Sequence, residues 1–180
     1  MLVPLFPYIR KNSLSIRKPV HKLTIKTRKK REVVDITDTL ESWLVKKYRE
    51  KPGICNLLVL HTTAALTTAD LDPGTDLDML DAFEAMVPKL RYRHPHDPAH
   101  VPDHILSSLI GTSVAIPFER GRMLLGTWQR VVLIELDGPR EREIVLTITP
   151  EHCRNRLSAQ PPTAFFIAMS SEIHLLVTLL

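Results

Sequence analysis

No apolar run in the chain approaches the roughly 20 consecutive residues that a bilayer-spanning helix requires, so no membrane association is expected. There are only two cysteines, Cys55 and Cys153, and they form no CxxC pair. That argues against a disulfide framework and fits a reducing compartment, here the cytoplasm. No internal repeat is present. Acidic residues are missing from the first 31 positions, which hold ten Lys or Arg and no Asp or Glu. The remainder carries 14 basic and 20 acidic residues, a net charge of −6 against +4 for the whole chain. A basic start without acids resembles an organellar presequence, but Pro4, Pro7 and Pro19 would interrupt its amphipathic helix. Residues 1–20 are therefore read as a disordered basic N-terminal extension. The run Lys26–Arg31 could contact phosphates of a nucleic acid, yet the acidic body and the lack of an aromatic-rich basic surface leave no nucleic-acid partner expected.

What is present fits one domain. With 180 residues and 44% hydrophobic content, the chain can bury a sizeable core. Leu23, Ile25 and Thr27 alternate with Lys22, Thr24 and Lys26, predicting a half-buried strand with a basic outer face. Asp38 and Glu41 predict a helix start, and Leu40, Trp43, Leu44 and Tyr48 follow at helical spacing until Pro52-Gly53. Ile54 to Leu60 reads as a buried strand ending at His61, followed by an Ala/Thr-rich stretch and the turn Asp70–Gly74. Leu77, Leu80, Phe83 and Val87 mark a second amphipathic helix, closed by Pro88. Pro102 suits the first position of a short helix reaching Gly111. Strand-like runs over 112–118, 122–128, 130–136 and 144–148 predict an antiparallel meander. Residues 150–180 are left as a C-terminal extension without a role.

The chemistry concentrates in histidine. Four of the eight fall within eleven residues, His94, His96, His100 and His104, and His61 ends an apolar run. Imidazole is the commonest side-chain metal ligand and titrates near neutrality. At the third position of its helix, His104 points away from the Ile105, Leu106, Leu109 and Ile110 face. It lies in the first turn, whose free N–H groups attract a phosphate or carboxylate. His61 arrives from a strand end. Imidazoles supplied by strand ends and helix starts, with an open coordination position, suit a catalytic zinc or a similar ion, although the spacing matches no compact signature. His96 reads as an exposed loop residue. Gly126 interrupts an apolar run, and Trp128 with Gln129 either walls a pocket or divides into a core tryptophan and an exposed glutamine. Thr62 and Thr63 place hydroxyls beside His61.

Taken in order, His61-Thr-Thr-Ala-Ala-Leu-Thr-Thr68, Asp72-Pro73, Tyr92-Arg-His94, His104-Ile-Leu-Ser-Ser-Leu-Ile-Gly111, Gly121-Arg122 and Leu125-Gly-Thr-Trp-Gln129 resemble the YjbQ family, also called the secondary thiamine-phosphate synthase family. The resemblance covers residues 21–149. It implies an α+β domain, a two-sheet antiparallel β-sandwich with flanking helices, assembled as a homotrimer. It also implies a metal site at His61 and His104 with His94 close by; the ion is read as divalent, zinc or magnesium, and His100, a departure from the family pattern, adds a further candidate ligand. The implied activity condenses a hydroxymethylpyrimidine diphosphate with a thiazole phosphate and releases pyrophosphate, a weak, secondary transferase activity. His61, His94 and His104 would then be catalytic, and Thr62, Thr63, Arg122, Trp128, Gln129 and Arg130 would bind the small phosphorylated substrate. Two departures from the family pattern stand out: Thr68, Ala69 and Asp70 replace its Asn- and Glu-containing segment, and His100 takes an acidic position. They motivate the alternative of a metal- or ligand-binding homotrimer without catalysis.

Overall fold

A computed structural model of the chain describes residues 20–94 and 96–151. The readings of residues 1–19 and 152–180, including Cys153 and the bulk of both extensions, lie outside the described residues. In chain order the elements are β1 (His21–Lys26), β2 (Glu32–Asp35), α1 (Thr37–Tyr48), β3 (Gly53–Val59), β4 (Ala64–Ala69) and α2 (Thr75–Met86). A short 3-10 turn (Pro98–His100) leads into α3 (Val101–Ile110), then β5 (Ser113–Glu119), β6 (Arg122–Met123), β7 (Arg130–Glu135) and β8 (Glu141–Pro150).

The strands form two antiparallel sheets, a five-stranded one ordered β1-β8-β3-β5-β6 and a three-stranded one ordered β2-β7-β4. Two hydrophobic clusters set the layering. One lies between the sheets and α1 and contains Leu40, Leu44, Leu57, Phe118, Leu133 and Leu146. The second lies on the other face of the small sheet, where Val132 and Ile134 meet Leu106 of α3 and partly buried Leu80 and Phe83 of α2. Successive residues of a strand face opposite ways, so Val131 and Leu133 enter the first cluster and Val132 and Ile134 the second. With both faces covered, β7 reads as an unbroken apolar run rather than an alternating one. By contrast β8 alternates: Arg142, Ile144, Leu146 and Ile148 point inward, and the residues between them are more exposed.

Several elements differ from the sequence reading. Asp38 does not begin α1; the side chain of Asp35 accepts from the Thr37 N–H at 2.9 Å, and Thr37 Oγ1 accepts from the Val131 N–H at 2.8 Å, tying the helix start to β7. The expected strand over 122–128 pairs only at Arg122–Met123. Turn bonds from Leu125 N to Met123 O and from Gln129 N to Gly126 O then carry the chain to the other sheet, which a continuous strand cannot do. The meander is for the same reason not a meander, since β6, β7 and β8 lie in the large, small and large sheets in turn. The Ala/Thr-rich stretch is strand β4, with Ala64 and Ala65 fully buried. Small side chains there let α3 approach closely, and Ser107 Oγ donates to the Ala64 carbonyl at 2.7 Å.

Where the sheets meet at one end, a charged pair sits inside. Glu135 and Arg142 are 0% and 2% exposed. Arg142 Nε donates to Glu135 Oε2 at 2.7 Å and Nη2 donates to Oε1. Arg142 Nη2 also reaches the Thr63 hydroxyl at 3.0 Å. Glu135 accepts further from Thr27 Oγ1 at 2.9 Å and from the Asp137 N–H at 2.8 Å. One carboxylate and one guanidinium therefore fasten β7, β8, the segment after β1 and the segment before β4. Removing one member of such a pair leaves the other charge buried without its partner. Glu135→Ala is expected to lower unfolding free energy by about 3–5 kcal/mol in urea denaturation, and a loss below about 1 kcal/mol would remove the pair from this role.

Candidate functional site

Directly above that pair opens a cleft of about 640 Å³, built from the β3–β4 connection, the turn between β7 and β8, and the start of α3. Its lining includes His61, Thr62, Thr63, His100, His104, Asp137, Arg140 and Arg142. Grooves of about 530 and 650 Å³ elsewhere have no histidine in their walls, so volume does not single this cleft out; its chemistry does.

The chain delivers each side chain for a local reason. His61 follows the last paired residue of β3, and its Nε2 accepts from the Glu143 N–H at 2.9 Å. That bond needs a lone pair, so the ring carries its proton on Nδ1. Burial holds the His61 pKa below its ordinary value, the nearby Arg142 guanidinium adds to the effect, and Glu143 and Glu135 oppose it. His104, on the first turn of α3, places Nδ1 3.0 Å from the Thr62 carbonyl oxygen. A carbonyl can only accept, so Nδ1 donates and Nε2 is left to act as base or ligand. His94 lies outside the cleft lining, yet its ring stacks on that of His104 at 5.7 Å and 18°, and its Nδ1 accepts from the Asp97 N–H at 3.2 Å. His100 ends the 3-10 turn with Nε2 at 3.2 Å from Asp97 and Nδ1 at 4.0 Å from Asp137. His96 is exposed, 5.9 Å from His94.

Sequence reasoning thus singled out five residues that share one cleft: His61, Thr62, Thr63, His100 and His104. Arg122, Trp128, Gln129 and Arg130 do not line it. Arg122 pairs with Glu41 at 3.1 Å, and Arg130 pairs with Asp35 at 2.7 Å and Asp38 at 2.9 Å. Trp128 is 69% exposed, and Gln129 Oε1 accepts from the Gly126 N–H at 2.8 Å. The residues that reasoning missed are Asp137, Arg140 and the Glu135–Arg142 pair. A signal existed for the pair: Glu135 interrupts an apolar run, and Arg142 occupies an inward position two residues before Ile144.

Among the described residues no three His, Cys, Asp or Glu side chains are grouped to hold a metal. The Nε2 lone pair of His61 is already engaged by a backbone N–H. What the cleft offers is imidazole beside guanidinium, groups suited to holding an anion and moving a proton.

Two antiparallel sheets with three helices, and imidazoles converging with arginines at one end, define a small α+β domain with a polar end-cleft. The profile of the family described as UPF0047 protein YjbQ-like matches residues 21–151, and the chain belongs to that family. It is 36% identical over 125 residues to a UPF0047 protein of Archaeoglobus fulgidus, covering 69% of this chain and 96% of that one. It is 38% identical over 122 residues to the UPF0047 protein YjbQ of Salmonella typhimurium, covering 64% of this chain and 87% of that one. Among solved structures, a hypothetical protein of Aeropyrum pernix K1 superposes with a TM-score of 0.67 at 33% identity, covering 74% of this chain and 99% of that one. A YbjQ-like protein of unknown function from Sulfolobus solfataricus also gives 0.67, at 32% identity over 74% of this chain and 97% of its own. No helix among the described residues is long and apolar enough to cross a membrane.

The depressed pKa of His61 has a pH consequence. In the unfolded chain the ring protonates near its ordinary value of 6.5, whereas the folded protein resists protonation until lower pH. The stabilisation is thus complete above the unfolded pKa and is lost as pH falls through the folded one. Urea midpoints measured between about pH 8 and pH 5 are expected to drop less steeply for His61→Gln than for the wild type. Parallel curves would show that His61 does not contribute to the slope.

Proposed function

We propose that this protein is an enzyme acting on a small phosphorylated substrate, a transferase of the thiamine-phosphate synthase kind. The observation that carries the reading is that three imidazoles and two guanidiniums from separate segments line one cleft of about 640 Å³. That is room for a substrate of a few hundred daltons.

In the reaction, the bond between the pyrimidine methylene carbon and the diphosphate oxygen breaks. The thiazole nitrogen bonds to that carbon, and pyrophosphate leaves with the electron pair. Catalysis of such a step is chiefly stabilisation of the departing charge. Arg140 and Arg142 take that task in place of Arg122 and Arg130, which lie outside the cleft of the protomer. His104, oriented through its Nδ1 bond to Thr62, takes up a proton from water at Nε2 and passes it to the departing pyrophosphate, returning to the form with its proton on Nδ1. His61 is a positioning residue, its ring fixed on the Glu143 N–H, and His94 supports the His104 ring by stacking. Zinc or magnesium enters this reading only as the counter-ion a diphosphate carries, and no step is assigned to it.

A second reading, a ligand-binding protein without turnover, draws on the internal pairing of the cleft's charges. Arg140 bonds to Asp137, and Arg142 to Glu135. Thiamine-phosphate formation from the two substrates separates the readings. Turnover by the wild type, reduced roughly 10²- to 10⁴-fold in His104→Ala, is the expected result. Substrate binding with no product would decide for the second reading.

Either reading includes a homotrimer. Its support is apolar surface left uncovered on one chain: α2 has no fully buried residue, and Leu77, Met86, Leu109 and Trp128 are 57%, 63%, 65% and 69% exposed. Light scattering is expected to give three times the 20.5 kDa chain mass, and a monomer mass at micromolar concentration would overturn the assembly.

A further inference from the structure

The floor of the cleft contains one donor that the fold leaves unused. Arg142 is 2% exposed, and its Nε and Nη2 are spent on Glu135 and Thr63. Its third nitrogen, Nη1, makes no hydrogen bond among the described residues. Yet no buried side-chain nitrogen or oxygen among the described residues is left unpaired, so Nη1 is not fully enclosed, and Arg142 lines the cleft. Glu135 cannot swing to meet it, because both of its oxygens are held, one by Thr27 and one by the Asp137 N–H, in addition to the guanidinium.

We propose that Arg142 Nη1 is the anchor for a terminal oxygen of the ligand's phosphate or diphosphate group, with the Glu135 carboxylate serving to aim it. This rests on reading the cleft as the seat of a phosphorylated substrate. Charge-assisted N–H···O bonds are short and directional, and the planar guanidinium transmits the orientation set by Glu135 to the far nitrogen. A lysine at the same position keeps the positive charge but has no rigid fork, so it cannot satisfy Glu135 and project a second donor in a fixed direction. The pair therefore acts as a preset hydrogen-bond donor, with its charge offset by the carboxylate behind it. Ligands are selected by where their oxygen lies as well as by net charge.

The test uses inorganic pyrophosphate and the full chain. In ¹⁵N-labelled wild-type protein, titration is expected to shift the Arg142 side-chain resonances, and calorimetry on Arg142→Lys is expected to show roughly 10- to 100-fold weaker binding. Thermal unfolding establishes whether that variant is folded; should it not be, the wild-type resonance shift alone decides. Pyrophosphate binding that leaves the Arg142 resonances unmoved overturns the anchor while the reading of the cleft stands. Absence of pyrophosphate binding by the wild type overturns the cleft reading and the anchor together.

Discussion

Taking a carboxylate and a guanidinium out of water costs several kcal/mol per ion unless their remaining hydrogen-bonding capacity is met. Glu135 and Arg142 come close to meeting it: the carboxylate accepts from Arg142, Thr27 and Asp137, and the guanidinium donates to Glu135 and Thr63. These partners come from opposite sheets and from three connections, so the condition can be satisfied only when all of these segments are in place. An apolar pair could fill the same volume, but it would not specify where each segment must stop. The cleft exists because the segments stop there.

Burial of β7 on both faces supplies the second constraint. Its odd and even residues belong to different clusters, so the small sheet is a shared wall with the large sheet on one side and α2 and α3 on the other. α3 is held to that wall by Leu106 in the second cluster and by two side-chain bonds to carbonyls, Ser107 to Ala64 and His104 to Thr62. The same short helix closes a core and carries the His104 imidazole at the cleft. The β3–β4 connection likewise supplies both His61 and the carbonyl that orients His104.

Helices were the most legible part of the chain, because Leu40 and Leu44, or Leu80 and Phe83, leave a periodic trace. Strand β4 was illegible because alanine and threonine carry little periodic contrast, and its identity comes from α3 pressing on it. The run 122–128 misled in the opposite sense: its composition favours a strand, but only the tertiary need to change sheets decides that pairing ends after Met123. The histidine-rich stretch supplies His100 and His104 to the same cleft as His61. The arginines were harder, since a single chain shows many charged positions and nothing local distinguishes Arg142 from Arg122. What distinguishes them is parity within β8, visible only once Ile144, Leu146 and Ile148 are known to point inward.

Arg142 rises from a strand that is hydrogen-bonded to β1 along its first half and to β3 beyond it. A guanidinium borne on a free loop would follow its ligand and tolerate many shapes. One mounted on a paired strand moves only as far as the sheet itself moves, so the floor of this cleft is fixed in shape while the turn and helix above it are the parts free to vary.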